Sequence, residues 1–176
     1  RDAANDTEQR DGVAIDRVSG AVAVGPFQLE VVTRGAFHTT LALRNFQLWH
    51  VGLLAVALRD MGAQRLPIGF ARSRGLGRVE VAYDGLEVRY PGQFGGDDRA
   101  WQQQLYGVSA LMRAADVYGF LSEAPVDVPA APRLDAGWGR VTVAFQGHDD
   151  VEAVLGATVA RWRDYVLATR GDGRDG

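Results

Sequence analysis

The chain contains no cysteine and no lysine, and both absences narrow what it can do. Without cysteine, its 176 residues can form no disulfide, no thiolate zinc site and no thiol nucleophile, which fits a cytoplasmic protein. All 19 basic residues are arginine, so every cation is a planar guanidinium suited to binding phosphate and to stacking on bases. A GC-rich coding genome would also explain this bias.

Long apolar runs and a strong net charge are missing as well. No stretch approaches the roughly 18 apolar residues of a membrane-spanning helix, so the sequence predicts no membrane partner. The net charge of −3 excludes a global cationic field, and nucleic-acid binding would have to rest on a local patch. The balance of 47% hydrophobic and 23% charged residues indicates a globular protein. Because the first residue is Arg1, we expect the sequence to be a piece of a longer or processed chain.

Hydrophobic periodicity predicts one clear helix in the first half of the chain. Residues 1–12 are polar and are interpreted as a flexible N-terminal segment. Apolar residues recur at helical spacing over Gln47–Met61, which predicts a helix there. Alternation and composition predict strands that pair as two hairpins, the second around Asp84-Gly85: Phe27–Thr33 with Ala36–Leu43, and Arg78–Ala82 with Leu86–Tyr90.

The second half is interpreted as an α/β extension over residues 92–170, followed by a flexible tail over 171–176. We predict a helix over Arg99–Ser122 and a proline-rich connector over Glu123–Pro132. A strand over Gly139–Phe145 and an amphipathic helix over Asp149–Ala168 follow.

The order of these elements favours an α+β fold. Strand, strand, helix, glycine-rich loop and strand match the second half of a ferredoxin-like unit, which we place in a core over residues 13–91. The first strand and helix of that unit would lie before Arg1 or be degenerate.

Residues 65–78, RLPIGFARSRGLGR, form a local cluster of positive charge. Four of these 14 residues are arginine, and no acidic residue occurs from Met61 through Val79. Glycines let the main chain approach a ligand closely, and guanidinium groups bind phosphate oxygens in pairs. The pattern therefore predicts a salt-sensitive grip on a nucleic-acid backbone. A mobile surface loop with solvated arginines is the alternative.

The histidines and tryptophans are weaker candidates. We expect His38, His50 and His148 to be surface or packed residues, and Trp49 and Trp162 to be core residues. Trp138 is flanked by glycines and followed by Arg140, which makes it a candidate for stacking on a base. No arrangement of residues indicates a catalytic site or a metal site within this sequence.

Two segments carry a resemblance to a known family. Ile68–Val81, IGFARSRGLGRVEV, follows a predicted helix, enters a predicted strand and resembles the glycine-rich loop of RAMP proteins. Asp11–Leu43 resembles the backbone-type RAMP subunits of type III CRISPR effectors. The matching residues of that pattern are Ile15, Asp16, Arg17, Ser19, Gly20, Gly35 and Phe37. The resemblance covers about residues 11–91.

This resemblance implies a ferredoxin-like, RRM-like core that binds guide RNA (crRNA). Its partners would be guide RNA, target RNA and other RAMP subunits of a ribonucleoprotein complex. Arg17 would lie near the RNA or a neighbouring subunit, and Asp16 is interpreted as a turn acceptor or the partner of an arginine. The residues implied to contact RNA backbone are Arg72, Ser73, Arg74, Gly75, Gly77 and Arg78.

Three other functions stay open at this point. The chain could belong to a metal-assisted endoribonuclease that cleaves target RNA, with Mg²⁺ as the metal and a catalytic aspartate outside these residues. A guide-processing ribonuclease of the same superfamily is disfavoured, because such enzymes carry the glycine-rich loop near the chain end. The third is an α+β domain that binds another anion. No cofactor is expected within this sequence.

Overall fold

The chain folds as two compact units, Arg1–Ala42 and Leu43–Gly176. The computed structural model describes residues 6–91, 103–112, 116–129, 131–137 and 139–171. Within those residues two helices accompany three small antiparallel sheets, so the predicted mixed α+β class is confirmed. Neither helix is long and apolar enough to cross a membrane.

The first unit is an antiparallel hairpin of β1, Thr7–Ile15, and β2, Val22–Val32. Asp16 shapes its turn by accepting hydrogen bonds from the Val18 N–H at 2.9 Å and the Ser19 hydroxyl at 2.8 Å. These two hydrogen bonds hold the pKa of Asp16 below its usual value, and the bond from the Val18 N–H has the larger effect. The interpretation of Asp16 as a turn acceptor is confirmed.

The pairing in this unit differs from the predicted hairpin. Strand β1 begins at Thr7, inside the segment interpreted as a flexible end, while Ala36–Leu43 forms no strand. Alternating side chains suit a half-buried surface, but a strand also needs a neighbour for its backbone groups. The partner of β2 is the polar β1, and the described residues place no second neighbour beside it.

The main sheet of the second unit has the order β3-β7-β6. Its strands are β3, Gly85–Pro91; β6, Arg133–Gly137; and β7, Arg140–Gln146. Register pairs Val88 with Val143 and Tyr90 with Val141, and all four side chains are buried. The predicted strands Leu86–Tyr90 and Gly139–Phe145 are therefore confirmed. They join a strand of the predicted core to a strand of the predicted extension.

Two predicted elements of this unit are wrong. Arg78–Ala82 forms no strand, because the neighbour of β3 is β7. In the described part of Arg99–Ser122, the predicted helix is replaced by β4, Gln104–Leu105, which pairs with β5, Val126–Asp127. Short 3-10 turns follow at Val108–Leu111 and Asp116–Tyr118. The backbone leaves the helical region at both glycines: Gly107 is extended, with φ −87° and ψ 171°, and Gly119 has φ +72°, a left-handed conformation that favours glycine.

Helices α1, Leu48–Gly62, and α2, His148–Gly171, confirm the two predicted at Gln47–Met61 and Asp149–Ala168. α2 contacts α1, β3 and β7, and together these elements enclose the core of the unit. The N-terminus of α1 is held by Glu123, which accepts the N–H groups of Leu48 and Trp49 at 2.9 and 3.1 Å. His50 Nδ1 accepts the Gln47 N–H at 3.0 Å, so this histidine caps the helix.

Alkaline pH is expected to destabilise the fold through Tyr90. Its side chain is 2% exposed, and its hydroxyl donates to the Tyr106 carbonyl at 3.2 Å and accepts the Tyr106 N–H at 3.0 Å. Burial raises the pKa of Tyr90 to about 12. Because an unfolded tyrosine has a pKa of about 10, the folded state retains the proton and loses stability as pH rises from about 10 to 12.

The free energy of unfolding should fall by about 2 to 3 kcal/mol over that interval, measured by urea titration from pH 8 to 12. Tyr90→Phe should be less stable at pH 8, because the Tyr106 N–H loses its acceptor. That variant should show a smaller alkaline loss. Equal alkaline losses in the two proteins would contradict this role for Tyr90.

Candidate nucleic-acid interface

The glycine-rich loop lies between α1 and β3 and is closed by its own backbone. The N–H of Ile68 donates to the carbonyl of Gly77 at 2.9 Å, which joins the two ends of the loop. The N–H groups of Arg65 and Leu66 both donate to the carbonyl of Asp60 in α1, at 2.8 and 3.1 Å. These two hydrogen bonds hold the start of the loop against the last turn of α1.

Left-handed backbone positions fold the interior of the loop. Ala71 and Gly75, with φ values of +56° and +80°, flank a single 3-10 turn at Arg72–Arg74. The N–H of Arg74 donates to Ala71 at 2.9 Å and that of Gly75 to Arg72 at 3.1 Å. Gly77 also has φ +81°, and a Cβ there would lie 1.8 Å from the Ile68 carbonyl oxygen. Only glycine fits at the position that closes the loop.

Gly77→Ala should open the loop, whereas Gly75→Ala should leave it closed. A Cβ at Gly75 meets nothing within 4 Å, so the second variant carries only the strain of a positive φ, on the order of 1 kcal/mol. The measurement is hydrogen exchange of the Ile68 amide by NMR. Exchange should accelerate at least tenfold in Gly77→Ala and change little in Gly75→Ala. Unchanged exchange in Gly77→Ala would show that this closure is not made.

The arginines of the loop fall into two groups. Arg65 donates to Asp60 Oδ1 at 2.8 Å, and Arg59 donates to the same oxygen at 3.1 Å. These bonds hold the pKa of Asp60 below its usual value, and the bond from Arg65 has the larger effect. The other three, Arg72, Arg74 and Arg78, have exposed side chains. Arg72 and Arg78 make no ion pair with any residue that the structure describes, so their charge faces solvent.

The structure brings three of the sequence-predicted residues together at one depression. Arg72, Ser73 and Arg74 line an open depression together with Gly69, Phe70 and Ala71. Gly75 and Gly77 shape the backbone next to it, and Arg78 follows directly. Arg17 is exposed in the first unit. Trp138 lies outside the described residues.

Phe70 is the residue that sequence reasoning missed. Its side chain is 80% exposed in the middle of the loop, although phenylalanine is most often buried. The available signal was its position between Gly69 and Ala71, in a loop with no apolar periodicity to give it a core.

The remaining candidates have structural partners. His148 Nδ1 accepts the Tyr83 N–H at 3.3 Å, and its Nε2 lies 3.7 Å from Glu152. Trp49 and Trp162 are half-buried and stack with Tyr165, at ring-centroid distances of 3.9 and 5.8 Å. No group of three or more metal-ligating side chains occurs within the described ranges.

Comparison with known proteins identifies one family. Residues 2–80 match the sequence model of the RAMP superfamily, a range that contains the hairpin, α1 and the glycine-rich loop. No curated protein and no solved structure matches the chain significantly. Residues 2–80 therefore resemble the RAMP superfamily.

Proposed function

We propose that this chain is a guide-RNA-binding subunit, or a segment of one, in a type III CRISPR effector complex. A RAMP superfamily domain implies a CRISPR-associated RNA-binding role. The observation that carries the proposal is the closed glycine loop with three exposed arginines, which lies within the matched range. The other proposed partners are target RNA and other RAMP subunits. The proposed location of the complex is the cytoplasm.

The chemistry of the loop suits a phosphate backbone. Arg72, Arg74 and Arg78 are exposed residues, and guanidinium groups form paired, charge-assisted hydrogen bonds to phosphate oxygens. Phosphates are the same in every nucleotide, so such contacts hold an RNA strand whatever its sequence. This suits a guide-RNA holder, because base pairing between guide and target supplies the specificity in RNA-guided effectors.

The proposed domain arrangement is a core over residues 13–91 that corresponds to the second half of a ferredoxin-like, RRM-like unit. Strand β3 belongs to this core, and β7 of the extension pairs with it along the full length of both strands. Helix α2 of the extension packs on α1 of the core. Strand β7 and helix α2 of the extension therefore support the elements on either side of the loop.

Filter retention with single-stranded RNA tests this proposal. Two RNAs of equal length and unrelated sequence are titrated with the folded protein across a salt series. Both should bind with similar affinity, and the logarithm of the association constant should fall linearly with the logarithm of salt concentration, with a slope of about −2 for three phosphate contacts. Folded protein that binds neither RNA at low salt would overturn the proposal.

A further inference from the structure

We propose that Phe70 is a stacking platform for an unpaired base, so that the loop selects single-stranded RNA over duplex. This inference rests on the proposed function and deepens it: the arginines would hold phosphates, and Phe70 would take the base. It is carried by the exposure of the ring and by its position beside the arginines.

The exposure of Phe70 is high for phenylalanine, and only Phe37 of the first unit, at 76%, comes close to it among the described phenylalanines. Phe70 is 80% exposed, so most of its apolar surface stays in contact with water. The ring therefore contributes little hydrophobic stabilisation to the fold. The backbone on both sides is left-handed, with φ +77° at Gly69 and +56° at Ala71. The fold therefore presents this side chain from a turn that is closed by hydrogen bonds on its C-terminal side, from Arg74 to Ala71 and from Gly75 to Arg72.

The neighbours of Phe70 indicate the kind of ligand. Phe70 lines the same open depression as Arg72, Ser73 and Arg74, so an exposed aromatic residue and two arginines belong to one short turn. A ligand that satisfies both must carry an anion and an aromatic face close together. A nucleotide has this combination, and its base stacks on an aromatic side chain whatever its identity.

The same geometry favours single strands. In a duplex both faces of each base are covered by neighbouring base pairs, so an aromatic side chain in a loop cannot reach them. An unpaired nucleotide exposes a face that Phe70 can cover while the adjacent phosphates contact the arginines. Phe70 would therefore add affinity for single-stranded RNA and none for duplex.

The test compares Phe70→Ala and Phe70→Trp with the wild-type chain, on one RNA offered as a single strand and as a duplex. Phe70→Ala should weaken single-strand binding by about 5- to 50-fold and leave duplex binding and the salt slope unchanged. Phe70→Trp should retain the affinity, because tryptophan also stacks. Tyr118→Ala is the matched control, since Tyr118 is 68% exposed and lies outside the loop; it should bind as the wild type does.

The outcomes separate this inference from the proposed function. If the wild type binds RNA and loss of the arginines abolishes binding, but Phe70→Ala binds normally, the stacking role is overturned and the phosphate grip stands. If Phe70→Ala loses single-strand and duplex binding equally, or changes the salt slope, Phe70 shapes the loop and does not stack. If the folded wild type binds no RNA, both proposals fall.

Discussion

Replacing Arg72, Arg74 and Arg78 together by alanine is expected to weaken binding of single-stranded RNA on the order of 100-fold at 0.1 M salt. Each phosphate contact to a single strand releases counterions and contributes about 0.7 to the salt slope. Removing three contacts should therefore make the slope shallower by about 2. All three residues are exposed, so their replacement should leave the fold intact. The free energy of unfolding, measured by thermal unfolding, should stay within about 1 kcal/mol of the wild-type value.

The matched control is Arg89→Ala/Arg163→Ala/Arg170→Ala, which lowers the net charge by the same amount. These arginines are exposed and lie on β3 and α2, outside the loop. The control should lose no more than a few-fold in affinity, because net charge acts only through a screened long-range field. Equal losses in both triple variants would mean that overall charge, and not the loop, binds RNA.

Gly52→Ala is expected to destabilise the second unit by about 3 kcal/mol. Gly52 lies in the middle of α1, where glycine costs about 1 kcal/mol relative to alanine. The reason that glycine is there is the crossing with α2: a Cβ would lie 2.4 Å from the Thr158 carbonyl oxygen and 3.1 Å from its carbonyl carbon. Those atoms are backbone atoms at a fully buried position of α2, since Thr158 is 0% exposed, so the helices would have to separate.

Gly156→Ala supplies the control for Gly52→Ala within the same pair of helices. Gly156 lies in α2, and a Cβ there meets nothing within 4 Å. Its replacement should stabilise the protein by about 0.5 to 1 kcal/mol through helix propensity alone. Urea unfolding monitored by circular dichroism measures both. A Gly52→Ala protein as stable as the wild type would show that the helices do not cross at this distance.

The elements that could be predicted are those whose pattern is local. Helices α1 and α2 have apolar residues at helical spacing, and β3 and β7 alternate on a sheet with one buried face. The failures at Ala36–Leu43 and Arg78–Ala82 have a common cause. Strand pairing depends on residues distant in sequence, and a tight-turn signal such as Asp84-Gly85 does not reveal that β3 pairs with β7 instead.

In the candidate site, too, local sequence features could be predicted and features that depend on the folded structure could not. The glycines and arginines of the loop could be recognised from composition and from the RAMP-like motif. Composition could not show that Arg65 is bound to Asp60, because the segment without acids begins just after that residue. Nor could it show the exposure of Phe70, which depends on the left-handed backbone at Gly69 and Ala71.

An NMR titration can show whether RNA contacts this chain through the loop over residues 65–78. The amide resonances of the 176-residue chain are followed as single-stranded RNA is added at low salt. If the loop is the contact surface, the largest chemical-shift changes are expected at the amides from Ile68 to Arg78. If the resonances of those amides do not change while resonances from other described parts of the chain do, RNA does not bind through the loop.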